Sequence, residues 1–106
     1  MRVTKLQADI LLHRLAIPEC IAEAIDLPVQ DVCIRADEIA AAAERGRIGW
    51  EKLDAIGRAT LIDAVEGSTY HAATPRQFRP AVFRAGQALA TKLTALSGSV
   101  VFFPEY

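Results

Sequence analysis

The chain has 106 residues, of which 52% are hydrophobic and 24% are charged, and its formal net charge at pH 7 is −1. This length predicts one domain over residues 1–106, and the composition is that of a globular rather than a disordered protein. A net charge so close to zero excludes a strongly basic nucleic-acid binder and a polyanion mimic as descriptions of the whole chain.

The start of the chain, Met1–Lys5, is polar, and no apolar run approaches the ~20 residues that span a membrane. We therefore expect no signal peptide, no membrane segment and a cytoplasmic location. Cys20 and Cys33 fall within predicted helices, and in a reducing compartment we expect both to be reduced core residues. Because the histidines, His13 and His71, have no close ligand spacing, we expect no metal and no cofactor.

Two helices are predicted at the start of the chain. Thr4 and Gln7 have the spacing of a capping box, and the helix that follows runs to about Ala16. Pro18 suits the first position of a second helix, Pro18–Asp26. This second helix is amphipathic, and its polar side is an acidic face made of Glu19, Glu23 and Asp26.

A third helix is predicted from Pro28 to about Arg45, with an apolar stripe on one side and a polar face on the other. Ile34 is an apolar residue within that polar face, beside Asp37 and Glu38. A single exposed isoleucine is common on protein surfaces, but it is also where a partner would make contact. We predict a partner-binding site at these three residues.

The stretch Glu51–Gly67, EKLDAIGRATLIDAVEG, is apolar on nearly every side of a helix. A helix of this kind is usually buried, with other helices packed around it. We therefore predict that it occupies the centre of the fold and that Ile56 and Leu61 are almost wholly buried. Gly67 is predicted to end it with a positive φ angle.

A last helix is predicted over Pro80–Leu96. Thr74 and Gln77 have the spacing of a second capping box, and Pro80 predicts a kink or a restart because proline removes a helical hydrogen bond. Gly86 and several alanines keep this helix thin, which permits close approach of a neighbour. Gly98 is predicted to end it.

The arginines Arg76, Arg79 and Arg84 alternate with Phe78 and Phe83 near the start of this last helix. Such a basic cluster suits an anion, a phosphate backbone or an acidic protein face. The favoured alternative is a solvated helix end that neutralises the acidic face of the second helix. The three arginines are kept as a second candidate contact site.

The residues Ser99–Phe103 are predicted to form the chain's one β-strand. A lone strand must pair with Met1–Thr4, pair with its own copy in a homodimer, or lie over the bundle and bury Phe102 and Phe103. Self-association is favoured because the charge is split: residues 1–66 carry 8 Lys/Arg and 12 Asp/Glu, whereas residues 67–106 carry 4 and 1.

The segment Ile21–Arg35, IAEAIDLPVQDVCIR, resembles the core of a helix-turn-helix. It departs from that pattern at Asp26, which stands where glycine is usual. The would-be recognition helix also presents Asp31, Asp37 and Glu38 outward, which phosphates repel. DNA binding through Pro28–Arg45 is therefore the alternative function and not the leading one.

The run Ser68–His71 places hydroxyls beside an imidazole, but a nucleophile–base pair also needs an orienting group and an oxyanion site. Neither is indicated, and the chain has no phosphate-binding loop or dinucleotide motif. We predict that the protein is not an enzyme.

The run LIDAVEGSTY, its flanking helices and the ending FPEY resemble small uncharacterised proteins carried by proteobacterial prophages and other mobile elements. The resemblance contains no motif of known chemistry and implies only that such proteins act by binding host machinery, including antiviral defence complexes. The predicted fold is all-α: a compact bundle of four main helices plus a short C-terminal β-strand. The predicted function is a non-enzymatic protein-interaction module that inhibits a host complex.

Overall fold

The computed structural model describes residues 1–68 and 74–104 and consists mainly of α-helices. Short 3₁₀ turns, Trp50–Lys52 and Arg76–Phe78, precede the last two helices. The prediction of an all-α fold is confirmed, but the described residues form five α-helices and not four. They are α1 (Lys5–Leu15), α2 (Pro18–Ile25), α3 (Val29–Glu44), α4 (Ala55–Glu66) and α5 (Arg79–Ser97).

Three of the predicted helix ends have the local chemistry that their residues suggest. The Thr4 hydroxyl accepts a hydrogen bond from the Gln7 N–H, and the Gln7 side chain accepts one from the Thr4 N–H, which completes the capping box. Asp26 ends α2 in the left-handed region, with φ 54°, and Gly98 ends α5 with φ 75°. Asp26 thus adopts the backbone conformation for which glycine is the usual residue.

Two other predicted helix ends are wrong in their mechanism. Gly67 ends α4 with φ −81°, so it is not needed for a positive φ. A Cβ atom there would instead collide with the Arg14 guanidinium, which crosses this position. Thr74 and Gln77 form no capping box, because a 3₁₀ turn without a side-chain cap replaces the first helical turn. The restart at Pro80 is confirmed, since α5 begins at Arg79.

Helix α4 lies at the centre of the bundle and contacts all four other helices. Leu61, Ala64 and Val65 are completely buried, as predicted for Leu61. Ile56 is only partly buried, and that prediction is wrong because α4 begins at Ala55 and Ile56 lies in its first turn. Helix α1 also contacts the other four helices, so the centre contains two helices and not one.

The start of the chain pairs with the connection between α3 and α4. The Val3 N–H donates to the Gly46 carbonyl oxygen and the Ile48 N–H donates to the Met1 carbonyl oxygen, each at 2.9 Å. Arg2 and Arg47 are therefore opposed in one antiparallel bridge. The backbone of residues 1–3 is occupied here, so the predicted option of pairing Met1–Thr4 with the C-terminal segment is wrong.

The C-terminal segment, residues 98–104, lies along α5. It forms no β-strand in the described part of the chain, so the prediction of a strand at Ser99–Phe103 is wrong. Val101 and Phe103 are buried, whereas Val100 and Phe102 are 83% and 61% exposed. Of the three predicted options, the structure thus shows the one in which the segment lies over the bundle. The buried residues are Val101 and Phe103, and not Phe102 and Phe103 as predicted. Gly86 makes room for this segment, because a Cβ atom on it would lie 2.5 Å from the Phe103 ring.

Both cysteines are free thiols. Cys20 is exposed and Cys33 is partly buried, so their predicted place in the core is wrong: both lie on sides of α2 and α3 that the bundle does not fully cover. Among the helices of residues 1–68 and 74–104, none combines the length and the apolar character that crossing a bilayer requires.

Candidate interaction site

The outer face of α3 carries the first predicted site. Ile34 is 53% exposed, and Asp37 and Glu38 on the same side of the helix are exposed as well. Val32, Ala36 and Ile39 alternate with them on the buried side at helical spacing, which fixes the rotation of α3. The structure therefore brings the three predicted residues together on one accessible surface.

The positive charge nearest to this surface is already engaged. Arg35 donates from Nε to the Asp54 carboxylate at 2.8 Å, and its second nitrogen lies 2.6 Å from the same oxygen. Glu38 lies 4.0 Å from Arg35 and makes only a weak pair with it. Because Arg35 is the only Lys or Arg between Val29 and Glu44, the outer face of α3 remains acidic.

The Arg35–Asp54 pair also fixes the start of α4. Asp54 is the N-cap of α4, and its carboxylate accepts a hydrogen bond from the Gly57 N–H at 2.8 Å. The hydrogen bonds from Arg35 and from Gly57 hold the pKa of Asp54 below its ordinary value. The same carboxylate raises the pKa of Arg35, so both groups remain charged over a wide pH range.

The basic cluster Arg76, Arg79 and Arg84 lies at the start of α5. Arg76 and Arg84 are exposed, and Arg79 is partly buried and donates from Nε to the Thr74 carbonyl oxygen at 3.3 Å. Phe78 is 54% exposed between them. The structure thus forms a basic surface with one exposed aromatic ring.

The acidic and basic candidates do not form one site. Helices α3 and α5 make at most marginal contact with each other, because α1 and α4 lie between them. The same holds for α2 and α5, and within the described residues neither Arg76 nor Arg84 forms an ion pair. The alternative interpretation was that this cluster neutralises the acidic face of α2. No ion pair from Arg76 or Arg84 supports that interpretation within the described residues.

A second Asp–Arg pair on α4 is buried. Arg14 of α1 lies 3.1 Å from the Asp63 carboxylate, and both side chains are less than a fifth exposed. Burial raises the pKa of Asp63, and the nearby Arg14 charge opposes that rise. The Arg14 Nε atom is buried and has no hydrogen-bond partner, which indicates that packing against Gly67, and not complete polar satisfaction, places this side chain.

A cavity of about 210 Å³ lies between α1, the end of α4 and the start of α5. Leu6, Ile10 and Val82 give it an apolar lining, and Asp9 and His13 add polar groups.

The Ser68 hydroxyl beside that cavity donates to the Ala64 carbonyl oxygen. This hydroxyl is therefore engaged in ending α4. The rest of the run Ser68–His71 lies outside the described residues. Among residues 1–68 and 74–104, no group of three or more His, Cys, Asp or Glu side chains is placed to hold a metal ion.

The sequence analysis did not predict two features of the structure. Arg2 and Arg47 stand directly opposite each other, although 45 positions separate them in the sequence and no local pattern connects them. Val100 and Phe102 were expected to pair or to be covered, yet both side chains face solvent. The sequence carries no signal for the second feature, because residues 100–103 are all apolar and show no alternation.

Comparison of the chain with protein-family models, with curated proteins and with solved structures gives no match.

Proposed function

We propose that this protein is a cytoplasmic, non-enzymatic interaction module that binds another protein through the outer face of α3. One observation carries the proposal: Ile34 is 53% exposed at the centre of an acidic surface whose neighbouring cation, Arg35, is bound to Asp54. An apolar centre with a charged rim is the usual anatomy of a protein–protein contact. The matching partner surface has an apolar recess bordered by Lys or Arg.

The class of partner follows from the resemblance to proteins of prophages and mobile elements. Compact proteins of that kind often act by binding host machinery, so we propose that the partner is a host complex and that binding inhibits it. The basic cluster Arg76, Arg79 and Arg84 is the second proposed contact, on a different side of the bundle. A partner that touches both surfaces must reach around α1 or α4.

The test compares two equally simple surface changes. Ile34→Asp should leave the fold intact and abolish capture of the partner, because it places a charge in the apolar recess. Ile17→Asp is the matched control, since Ile17 is an apolar residue, 41% exposed, on a different helix, at the start of α2. Partners captured by the wild type and by both variants equally would show that the α3 surface is not the site.

A small DNA-binding regulator is the second candidate, favoured by the tight turn at Asp26 between α2 and α3. The acidic outer face of α3 opposes it, because contacts to phosphates supply much of the affinity for DNA. Retention on a DNA column at low salt would support this candidate. If it occurs through this unit, Ile34→Asp should weaken it, because the change adds a negative charge to α3. Loss of retention with Arg76→Glu and Arg79→Glu, but not with Ile34→Asp, would instead assign DNA binding to the basic cluster.

A further inference from the structure

The surface formed by the second half of α5 and the C-terminal segment is almost without charge. Residues 85–104 contain a single charged residue, Lys92, in a chain of which 24% is charged. The Lys92 ammonium is engaged, because it donates to the Arg2 carbonyl oxygen at 2.8 Å. The exposed residues of this stretch are all uncharged: Gln87, Ala88, Thr91, Ala95, Leu96, Gly98, Ser99, Val100 and Phe102.

The backbone of the C-terminal segment has one occupied edge and one open edge. Burial alternates from Val100 to Phe103, which is the pattern of an extended chain. The Val101 N–H donates to the Thr94 hydroxyl at 2.9 Å, and the same hydroxyl lies 3.1 Å from the Val101 carbonyl oxygen. In an extended chain the N–H and C=O groups of consecutive residues point to opposite edges, so those of Val100 and Phe102 lie on the edge away from Thr94. Within the described residues no hydrogen bond engages the backbone N–H or C=O groups of Val100 or Phe102.

We propose that this open edge pairs with the same segment of a second copy, forming an antiparallel ribbon around a two-fold axis at Val101. In that register Val100 of each copy faces Phe102 of the other, and each such pair exchanges two backbone hydrogen bonds. The N–H and C=O groups of Val100 and Phe102 in one copy therefore all form hydrogen bonds with the same groups of the other copy. Each exposed Val100 side chain also lies beside an exposed Phe102 side chain, which is a favourable cross-strand pair.

The shortness of the edge argues for a second copy and against a longer foreign strand. The next groups along the open edge belong to Gly98 and Pro104: the Gly98 N–H is already bonded to the Thr94 carbonyl oxygen at 3.1 Å, and Pro104 has no N–H to offer. The open edge therefore ends on both sides of residues 100–102, which is the length that the two-fold register uses. Because residues 85–104 carry a single charged side chain, two copies of this described stretch can approach with little repulsion.

The uncharged flank of α5 supplies the rest of the contact. Ala95 and Leu96 are exposed on the last turns of α5, next to the start of the C-terminal segment. Exposed aromatic and aliphatic side chains with few charges are the composition of an interface core. The contact is small, so the dimer forms in a concentration-dependent way.

The experiment measures the molecular mass of the full chain over a wide concentration range by sedimentation equilibrium, together with three variants. Phe102→Lys adds a charge at the axis and should raise the dimer dissociation constant at least tenfold. Phe102→Pro removes one edge N–H and should do the same. Ile17→Lys is the matched control, since Ile17 is an exposed apolar residue, 41% exposed, at the start of α2 and should leave association unchanged.

The register is tested in a mixed sample of isotope-labelled and unlabelled protein. Intermolecular NOEs between Val100 and Phe102 are expected. A wild type that stays monomeric at the highest concentration overturns the proposal, as does a dimer that Phe102→Lys and Phe102→Pro leave intact. A monomer that binds an added extended peptide at this edge also overturns it and assigns the edge to a foreign strand. Deleting the segment is not used, because it would also remove the buried Val101 and Phe103.

Discussion

Helix α4 and the C-terminal segment are both apolar in sequence, but they are buried in different ways. Helix α4 is enclosed by four helices, and its residues Leu61, Ala64 and Val65 are completely buried. The C-terminal segment rests on one side of α5, so only its alternate residues, Val101 and Phe103, are covered. The difference shows that apolar content alone does not define the core: the number of neighbouring elements decides which residues leave water.

The largest expected effect is at the enclosed helix. Leu61→Ala should lower the free energy of unfolding by about 2–5 kcal/mol, because it removes buried methyl groups and leaves a cavity that four helices cannot close. Urea unfolding followed by circular dichroism measures it. A loss below about 1 kcal/mol would mean that α4 lies at the surface, and the contrast with the C-terminal segment would disappear.

The second effect concerns the buried pair at the end of α4. Arg14→Met should cost about 1.5–3 kcal/mol, because it leaves the Asp63 carboxylate buried without its charged partner. The cost should grow as pH rises through the Asp63 pKa, which burial already raises: below that pKa the carboxyl is neutral and needs no partner.

The control for that prediction is Arg14→Met combined with Asp63→Leu, which removes both charges. The double variant should recover most of the lost stability and lose the additional pH dependence. Recovery without any change in the pH dependence would mean that Asp63 is not the titrating group.

The third effect tests how closely the C-terminal segment fits α5. Gly86→Ala should cost about 1–3 kcal/mol, because the new methyl group occupies the space of the Phe103 ring. In a Phe103→Ala background the same change should be neutral or should stabilise by up to about 1 kcal/mol, as alanine favours a helix over glycine. Equal effects in both backgrounds would show that Gly86 does not contact the segment.

The smallest effect is at the exposed start of α4. Asp54→Asn keeps an N-cap acceptor for the Gly57 N–H but loses the ion pair with Arg35. Because the pKa of Asp54 is lowered in the folded state, its contribution is present at neutral pH and is lost as pH falls through that pKa. The variant should therefore be slightly less stable at neutral pH, and the difference should vanish in acid. A difference that persists in acid would assign the effect to the cap itself.

Much of the fold could be predicted because its signals are local. The Thr4 capping box, the left-handed Asp26 and the helical spacing of α3 each depend on residues close in sequence. The exposure of Ile34 followed from the same spacing. These predictions needed no knowledge of how the helices pack.

The features that could not be predicted depend on contacts between distant residues. Gly67 makes room for Arg14, and nothing within α4 indicates that role. The close approach at Gly86 was predicted and is confirmed, but the helix did not indicate that Phe103 is the neighbour. The strand prediction for Ser99–Phe103 counted apolar residues correctly, but within the described residues one edge of the segment is bonded to the Thr94 hydroxyl and not to a second strand.

The pairing between the chain start and residues 46–48 has a kinetic consequence. Met1 and Ile48 are 47 positions apart, and closing a loop of that length costs conformational entropy before any contact is gained. We therefore expect these bonds to form late in folding, after α1 and α3 have docked. Val3→Ala should accelerate unfolding and leave the refolding rate nearly unchanged, which is the behaviour of a low φ-value position in stopped-flow measurements.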